Sequence, residues 1–224
     1  MFLFIIIFIV SMGVSWMLKS RMQKYSQTAL QSNFSGKEVA EMMLRDNGIF
    51  DVKVMSIDGQ LTDHYSPSDK TVNLSHEVFY GRNAAAVAVA AHEVGHAVQH
   101  SVAYSWLGFR SAMVPLLNIS SRFMSILILV GILALQFTPL PLAIGVGLFA
   151  LTTIFSFITL PVEFDASARG LKYISSRGVV TSSEYALSKD ALRWAAMTYV
   201  VAALSSLATL LYYASLLAGG RRGD

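Results

Sequence analysis

Four long apolar runs constrain this chain before anything else does. Phe2 to Leu18, Phe123 to Phe137, Leu142 to Leu160 and Trp194 to Leu217 contain no charged residue. In hydrocarbon every backbone N–H and C=O must be paired within its own segment, so such runs are expected to be helices. About 20 apolar residues cross a bilayer, which puts the first run at the lower limit. The second run gains length if it extends back to Val114, with Arg122 snorkelling or buried. Composition agrees: 54% of residues are hydrophobic, 14% are charged and the mean hydropathy is +0.53, whereas soluble domains carry about 25% charged residues.

Between the first two runs lies a polar region, residues 19–110. Ser35 and Glu38 fit a helix-capping box, and Val39, Met42 and Met43 give the following helix one apolar face. Asn47-Gly48 ends it. The period then shortens. Val52 to Ile57, Leu61 to Tyr65 and Thr71 to Leu74 are separated by turn residues and predict a short antiparallel sheet. A free edge of that sheet is a candidate site for pairing with an extended peptide, and a plain packing sheet is the alternative.

The segment 83–100 predicts a helix that begins as an alanine-rich rod and ends in His92-Glu93-Val94-Gly95-His96. Residues four apart on a helix lie about 40° apart around the axis and one turn along it. His92 and His96 can therefore aim two imidazoles at one divalent ion, with Glu93 beside them as a general base for a water. Three ionisable groups at the end of an apolar rod are costly to bury without a shared partner. His100 shares this face but fits a helix-end or supporting role better than that of a ligand. A third His six residues after His96 would define another subclass, but Val102 stands there.

The chain has no Cys, so a metal must be held by His and carboxylates. A catalytic zinc usually has three protein ligands and one open position. The downstream candidates are Glu163, Asp165, Glu184, Asp190 and Asp224. Glu163 is the most apolar-flanked of them and lies where a span ends, so it is favoured. Ser167, four residues on, shares its face and could support a ligand. Arg193 and Tyr199 are candidate oxyanion donors, with anchoring at the membrane interface as their plainer reading.

The expected organisation is a mostly α integral membrane protein with about four transmembrane helices and a small α+β catalytic region. Residues 1–18 are an anchor, 19–110 the catalytic region, 111–160 a transmembrane hairpin and 161–192 the third-ligand region. A last span covers 193–218 and a polar tail 219–224. No positive n-region precedes the first run and no Ala-x-Ala-like site follows it, so an anchor is expected rather than a cleaved signal. A hairpin returns the chain to the side it left, which puts His92 and Glu163 on one face of the membrane. Lys19, Arg21, Lys24, Arg169, Lys172 and Arg177 mark that face as cytoplasmic, with Arg221 and Arg222 opposing weakly. The net charge of +3 reads as membrane topology, with no nucleic-acid partner expected.

Asp63-His64-Tyr65, Val72-Asn73-Leu74-Ser75, Ala88 to His100 and Leu160 to Ser167 together resemble the bacterial membrane zinc metallopeptidases of the YugP-like type, over nearly the whole chain. More distantly the chain resembles the HtpX and CAAX-prenyl membrane proteases. The resemblance implies a gluzincin-like endopeptidase holding one Zn²⁺ per chain through His92, His96 and Glu163, with Glu93 as base. It also implies protein or peptide substrates, and the placement of the site at the bilayer surface makes membrane proteins candidates among them. The distant families carry an Asp four residues after the ligand Glu, where this chain has Ser167. Rival readings are a site-2-type intramembrane protease, a zinc-stabilised scaffold or adaptor without turnover, and a transporter.

Overall fold

The structure is a computed structural model, and it describes residues 2–220. The tail residues Arg221, Arg222 and Asp224 lie outside the described residues. Among the described residues, seven helices and three strands follow in chain order: α1 (Phe2–Ser26), α2 (Gly36–Asp46), β1 (Lys53–Ile57), β2 (His64–Ser66), β3 (Thr71–Ser75), α3 (His76–Tyr80), α4 (Ala84–Ser101), α5 (Ser105–Leu133), α6 (Leu140–Ser176) and α7 (Ser182–Gly220). Four of them, α1, α5, α6 and α7, are long and apolar enough to cross a membrane. Their large side chains stay exposed, among them Phe8, Trp16, Leu129 and Ile154, a surface that suits lipid and would be a liability in water. The chain is thus mostly α with a small α+β region.

The capping box forms. Ser35 Oγ accepts from the Glu38 N–H at 3.2 Å, and Glu38 Oε2 accepts from the Ser35 N–H at 2.7 Å. Arg82 adds an ion pair at 2.9 Å. The Ser35 N–H and hydroxyl, with Arg82, hold the Glu38 carboxyl below its ordinary value, although partial burial works against them.

The sheet differs from the expected antiparallel arrangement. Its order is β1-β3-β2: β2 pairs antiparallel with β3, but β1 pairs parallel with β3, from Lys53↔Thr71 to Ile57↔Ser75. Burial explains the difference. Val72 and Leu74 of β3 are fully buried, while β1 and β2 are only partly covered. The most deeply buried strand takes the centre, where Val72 and Leu74 join one apolar core with residues of α2 and α4. β2 is also shorter than the expected Leu61–Tyr65. Leu61 has a left-handed φ of 56°, and Asp63 turns its carboxylate back to accept from the Ser75 N–H at 2.7 Å. β2 is consequently an edge strand.

α4 begins at Ala84, with Asn83 Oδ1 accepting from the Ala86 N–H at 2.9 Å. Its alanines are buried nearly all round, because small side chains let several neighbours approach at once. α6 packs between α5 and α7, α7 packs on α1, and α4 lies across α6 and α7. α6 runs unbroken through Pro161. The second limb of the expected hairpin and the start of the expected third-ligand region are therefore one helix.

Candidate metal centre

The contact between α4 and α6 builds the site. Gly95 faces Ala166 so closely that a Cβ on Gly95 would stand 2.5 Å from the Ala166 carbonyl oxygen. One turn further along, a Cβ on Gly170 would stand 2.8 Å from the Ala91 carbonyl carbon. The two glycines permit backbone contact where any side chain would hold the helices apart. Glu163 is thereby delivered to the histidine pair.

His92 and His96 stand with ring centroids 4.8 Å apart and planes at 82°. Glu163 Oε2 lies 3.4 Å from His92 Nε2 and 3.6 Å from His96 Nε2. All three potential ligand atoms fall within 4.8 Å of one another. Zinc–ligand bonds of about 2.0–2.1 Å in a tetrahedron give ligand–ligand edges of roughly 3.3 Å, close to both carboxylate separations. Glu163 is only 3% exposed, and its Oε2 is buried without a hydrogen-bond partner. A buried orphan oxygen is costly, and a cation between it and the two imidazoles removes the cost. The residues fit a zinc ion.

Neighbouring groups set the ring orientations. Gln99 is fully buried, and its amide nitrogen donates to the Val162 carbonyl and to Asp165 Oδ2, both at 2.8 Å. Its Oε1 can then only accept, so His96 Nδ1 donates to it at 3.0 Å and His96 Nε2 keeps a free lone pair. At His92, Nδ1 lies 3.0 Å from Ser167 Oγ, and donation to that hydroxyl likewise frees Nε2. Glu163 Oε1 accepts from Arg110 Nη1 at 3.2 Å, leaving Oε2 for a metal. Burial pushes the His96 imidazole down, but the Glu163 and Glu93 carboxylates and the Gln99 amide outweigh it, and the net direction is up.

Glu93 is 8% exposed, and its Oε2 accepts the Tyr65 backbone N–H at 3.1 Å. The free edge of β2 therefore points at the site. Tyr199 of α7 lines the same cleft as His92, Glu93 and Glu163. Asp63 also lines it, and burial raises its carboxyl above the ordinary value against the pull of the Ser75 donors.

Of the sequence-predicted residues, His92, Glu93, His96, Glu163, Ser167 and Tyr199 come together. Arg193 does not: it is exposed, lines none of these clefts, and points about 240° around α7 from Tyr199. Nor is His100 near the metal cluster; its Nδ1 meets the Tyr65 hydroxyl at 2.8 Å. Asp165 acts through Gln99 instead of as a ligand. Sequence reasoning missed Gln99 and Arg110. Gln99 had a signal, being three residues after His96 on the same face of an apolar helix.

A family model described as "Putative neutral zinc metallopeptidase" matches residues 1–218. The chain is 40% identical over 223 residues, 98% of its own length and 98% of its relative's, to "Putative membrane protease YugP" of Bacillus subtilis (strain 168). No solved structure matches it.

Proposed function

This chain belongs to the neutral zinc metallopeptidase family, and from that premise we propose that it is a membrane-embedded zinc endopeptidase. His92, His96 and Glu163 hold one zinc ion, and Glu93 is the general base. The observation that carries the reading is the unpartnered, buried Glu163 Oε2 set between two imidazole nitrogens.

When bound, zinc supplies a Lewis acid that brings the pKa of water toward about 7 and polarises a scissile carbonyl. Glu93 takes the proton of the attacking water and passes it to the leaving amine as the C–N bond breaks. The Tyr65 N–H at 3.1 Å holds the Glu93 carboxylate in place for both transfers. The Tyr199 hydroxyl, on the wall of the same cleft, donates to the developing oxyanion. Gln99 and Ser167 keep both imidazoles turned with Nε2 toward the site. The outer edge of β2, whose Tyr65 N–H is held by Glu93, offers its remaining backbone acceptor to an extended substrate segment.

The site opens on the side of the membrane that carries Lys19, Arg21, Lys24, Arg169, Lys172 and Arg177, which we assign to the cytoplasm. Substrates are protein or peptide segments, including those of membrane proteins presented at the bilayer surface. The deciding experiment is zinc content and casein hydrolysis for wild type, Glu163→Ala and Glu93→Gln in detergent. Wild type should hold one zinc and cut casein, Glu163→Ala should lose zinc, and Glu93→Gln should keep zinc without cutting. Full hydrolysis by Glu93→Gln removes the assigned base.

A further inference from the structure

α1 looks like a simple anchor in the sequence, but its inner end forms part of the cleft. A cavity of about 160 Å³ runs from His92, Glu93 and Glu163 into the gap between α1 and α7. Leu18 and Met22 of α1 line one side, Leu192, Ala195 and Ala196 of α7 the other, and Leu61 also lines it. A dry apolar cavity of about 150 Å³ is large enough to take up a benzene ring. The small Ala195 and Ala196 create the space, since a longer side chain at either position would fill it.

The width of this gap is pinned on both sides. The buried Tyr25 of α1 donates its hydroxyl to Asp190 Oδ2 of α7 at 2.6 Å, and Arg21 Nη1 donates to the same hydroxyl at 3.1 Å. Toward the other end of the pair, Phe4 and Tyr212 meet edge-to-face with centroids 5.2 Å apart. An apolar chamber of fixed width, open at one end to the reacting groups, is a side-chain subsite.

We propose that α1 and α7 together form the specificity subsite of this enzyme, which seats one Leu-, Met- or Phe-sized apolar side chain next to the scissile bond. The proposal rests on the peptidase reading above. α1 is then half of the substrate site as well as a membrane anchor, and the enzyme selects cleavage points beside large apolar residues, as found where a transmembrane or amphipathic segment meets the bilayer surface. Acidic side chains are rejected, because the chamber offers them no cation.

The test uses the zinc-loaded full-length protein in detergent. Peptides differing only at the two residues flanking the cleaved bond carry Trp, Phe, Leu, Gly or Asp there. At one of the two positions, Leu or Phe should exceed Gly by at least about 10-fold in kcat/KM, the scale of hydrophobic-pocket discrimination. Ala195→Phe should collapse that Leu-to-Gly ratio toward one. Met22→Ala, which enlarges the chamber from the α1 side, should raise Trp relative to Leu. A second readout needs no turnover: peptide hydroxamates with a Leu or Gly side chain, titrated calorimetrically, should differ at least about 10-fold in affinity in wild type. A Leu preference in binding without any cleavage supports the subsite and removes the peptidase reading alone. Cleavage that ignores both flanking residues, or equal hydroxamate affinities, overturns the subsite and leaves the peptidase reading standing.

Discussion

Replacing Gly95 with alanine tests the whole construction of the site with one methyl group. The new Cβ would lie 2.5 Å from the Ala166 carbonyl oxygen and 3.0 Å from its carbonyl carbon and Cα. Ordinary contact begins near 3.4 Å, so α4 and α6 must separate locally by about 0.9 Å, and close-packed helices cannot absorb this silently. The opposed residue, Ala166, sits three positions after Glu163 on the same helix. The separations of 3.4 and 3.6 Å from Glu163 Oε2 to the two Nε2 atoms then grow to roughly 4.3–4.5 Å. A zinc ion kept at about 2.05 Å from both imidazoles would find the carboxylate near 3 Å, beyond bonding distance. Zinc affinity should fall by about 100-fold or more, and peptide hydrolysis by at least a similar factor. Helix propensity works the other way, favouring alanine by about 1 kcal/mol, so a weaker α4 is not an available explanation. Zinc retained against a graded chelator and the rate of casein hydrolysis are the measurements. Gly147→Ala is the control, since a Cβ there meets nothing within 4 Å. If Gly95→Ala keeps wild-type zinc affinity and rate, the close helix contact does not position Glu163.

Four further outcomes follow from the same geometry. Gln99→Leu is close in size but cannot accept from His96 Nδ1 or donate to Val162 and Asp165; zinc affinity should drop about 10–100-fold, measured by competition with a chromogenic chelator. Arg110→Met frees Glu163 Oε1 and should weaken zinc binding while leaving the helical circular-dichroism signal intact; unchanged affinity would show that Arg110 does not position the carboxylate. Ser35→Ala removes the cap of α2 and should cost about 1 kcal/mol in thermal or denaturant unfolding. Because the folded-state pKa of Glu38 is depressed, its contribution is present above the unfolded value of about 4.3 and is lost as pH falls through the folded one. The Tm difference between wild type and Glu38→Gln should accordingly shrink on acidification, and a difference that is flat with pH would refute the assignment.

The sequence by itself determined the elements that follow from periodicity and backbone chemistry. The four apolar runs had to be helices because hydrocarbon leaves backbone groups no other partner. His92 and His96 had to share a face because the helix repeat puts residues four apart together, and the absence of Cys and of any His after His100 limited a third ligand further along the chain to a carboxylate. Tertiary structure decided what local pattern cannot encode. β3 took the centre of the sheet because Val72 and Leu74 bury best there, which turned an expected antiparallel sheet into a mixed one. Glu163 became the partner of the histidines because Gly95 and Gly170 let two backbones touch, a contact between residues more than seventy positions apart. Gln99, Arg110 and the α1–α7 chamber acquired meaning only when distant helices met, because hydrogen bonding and cavity shape depend on three-dimensional neighbours, and one chain read in order does not display them.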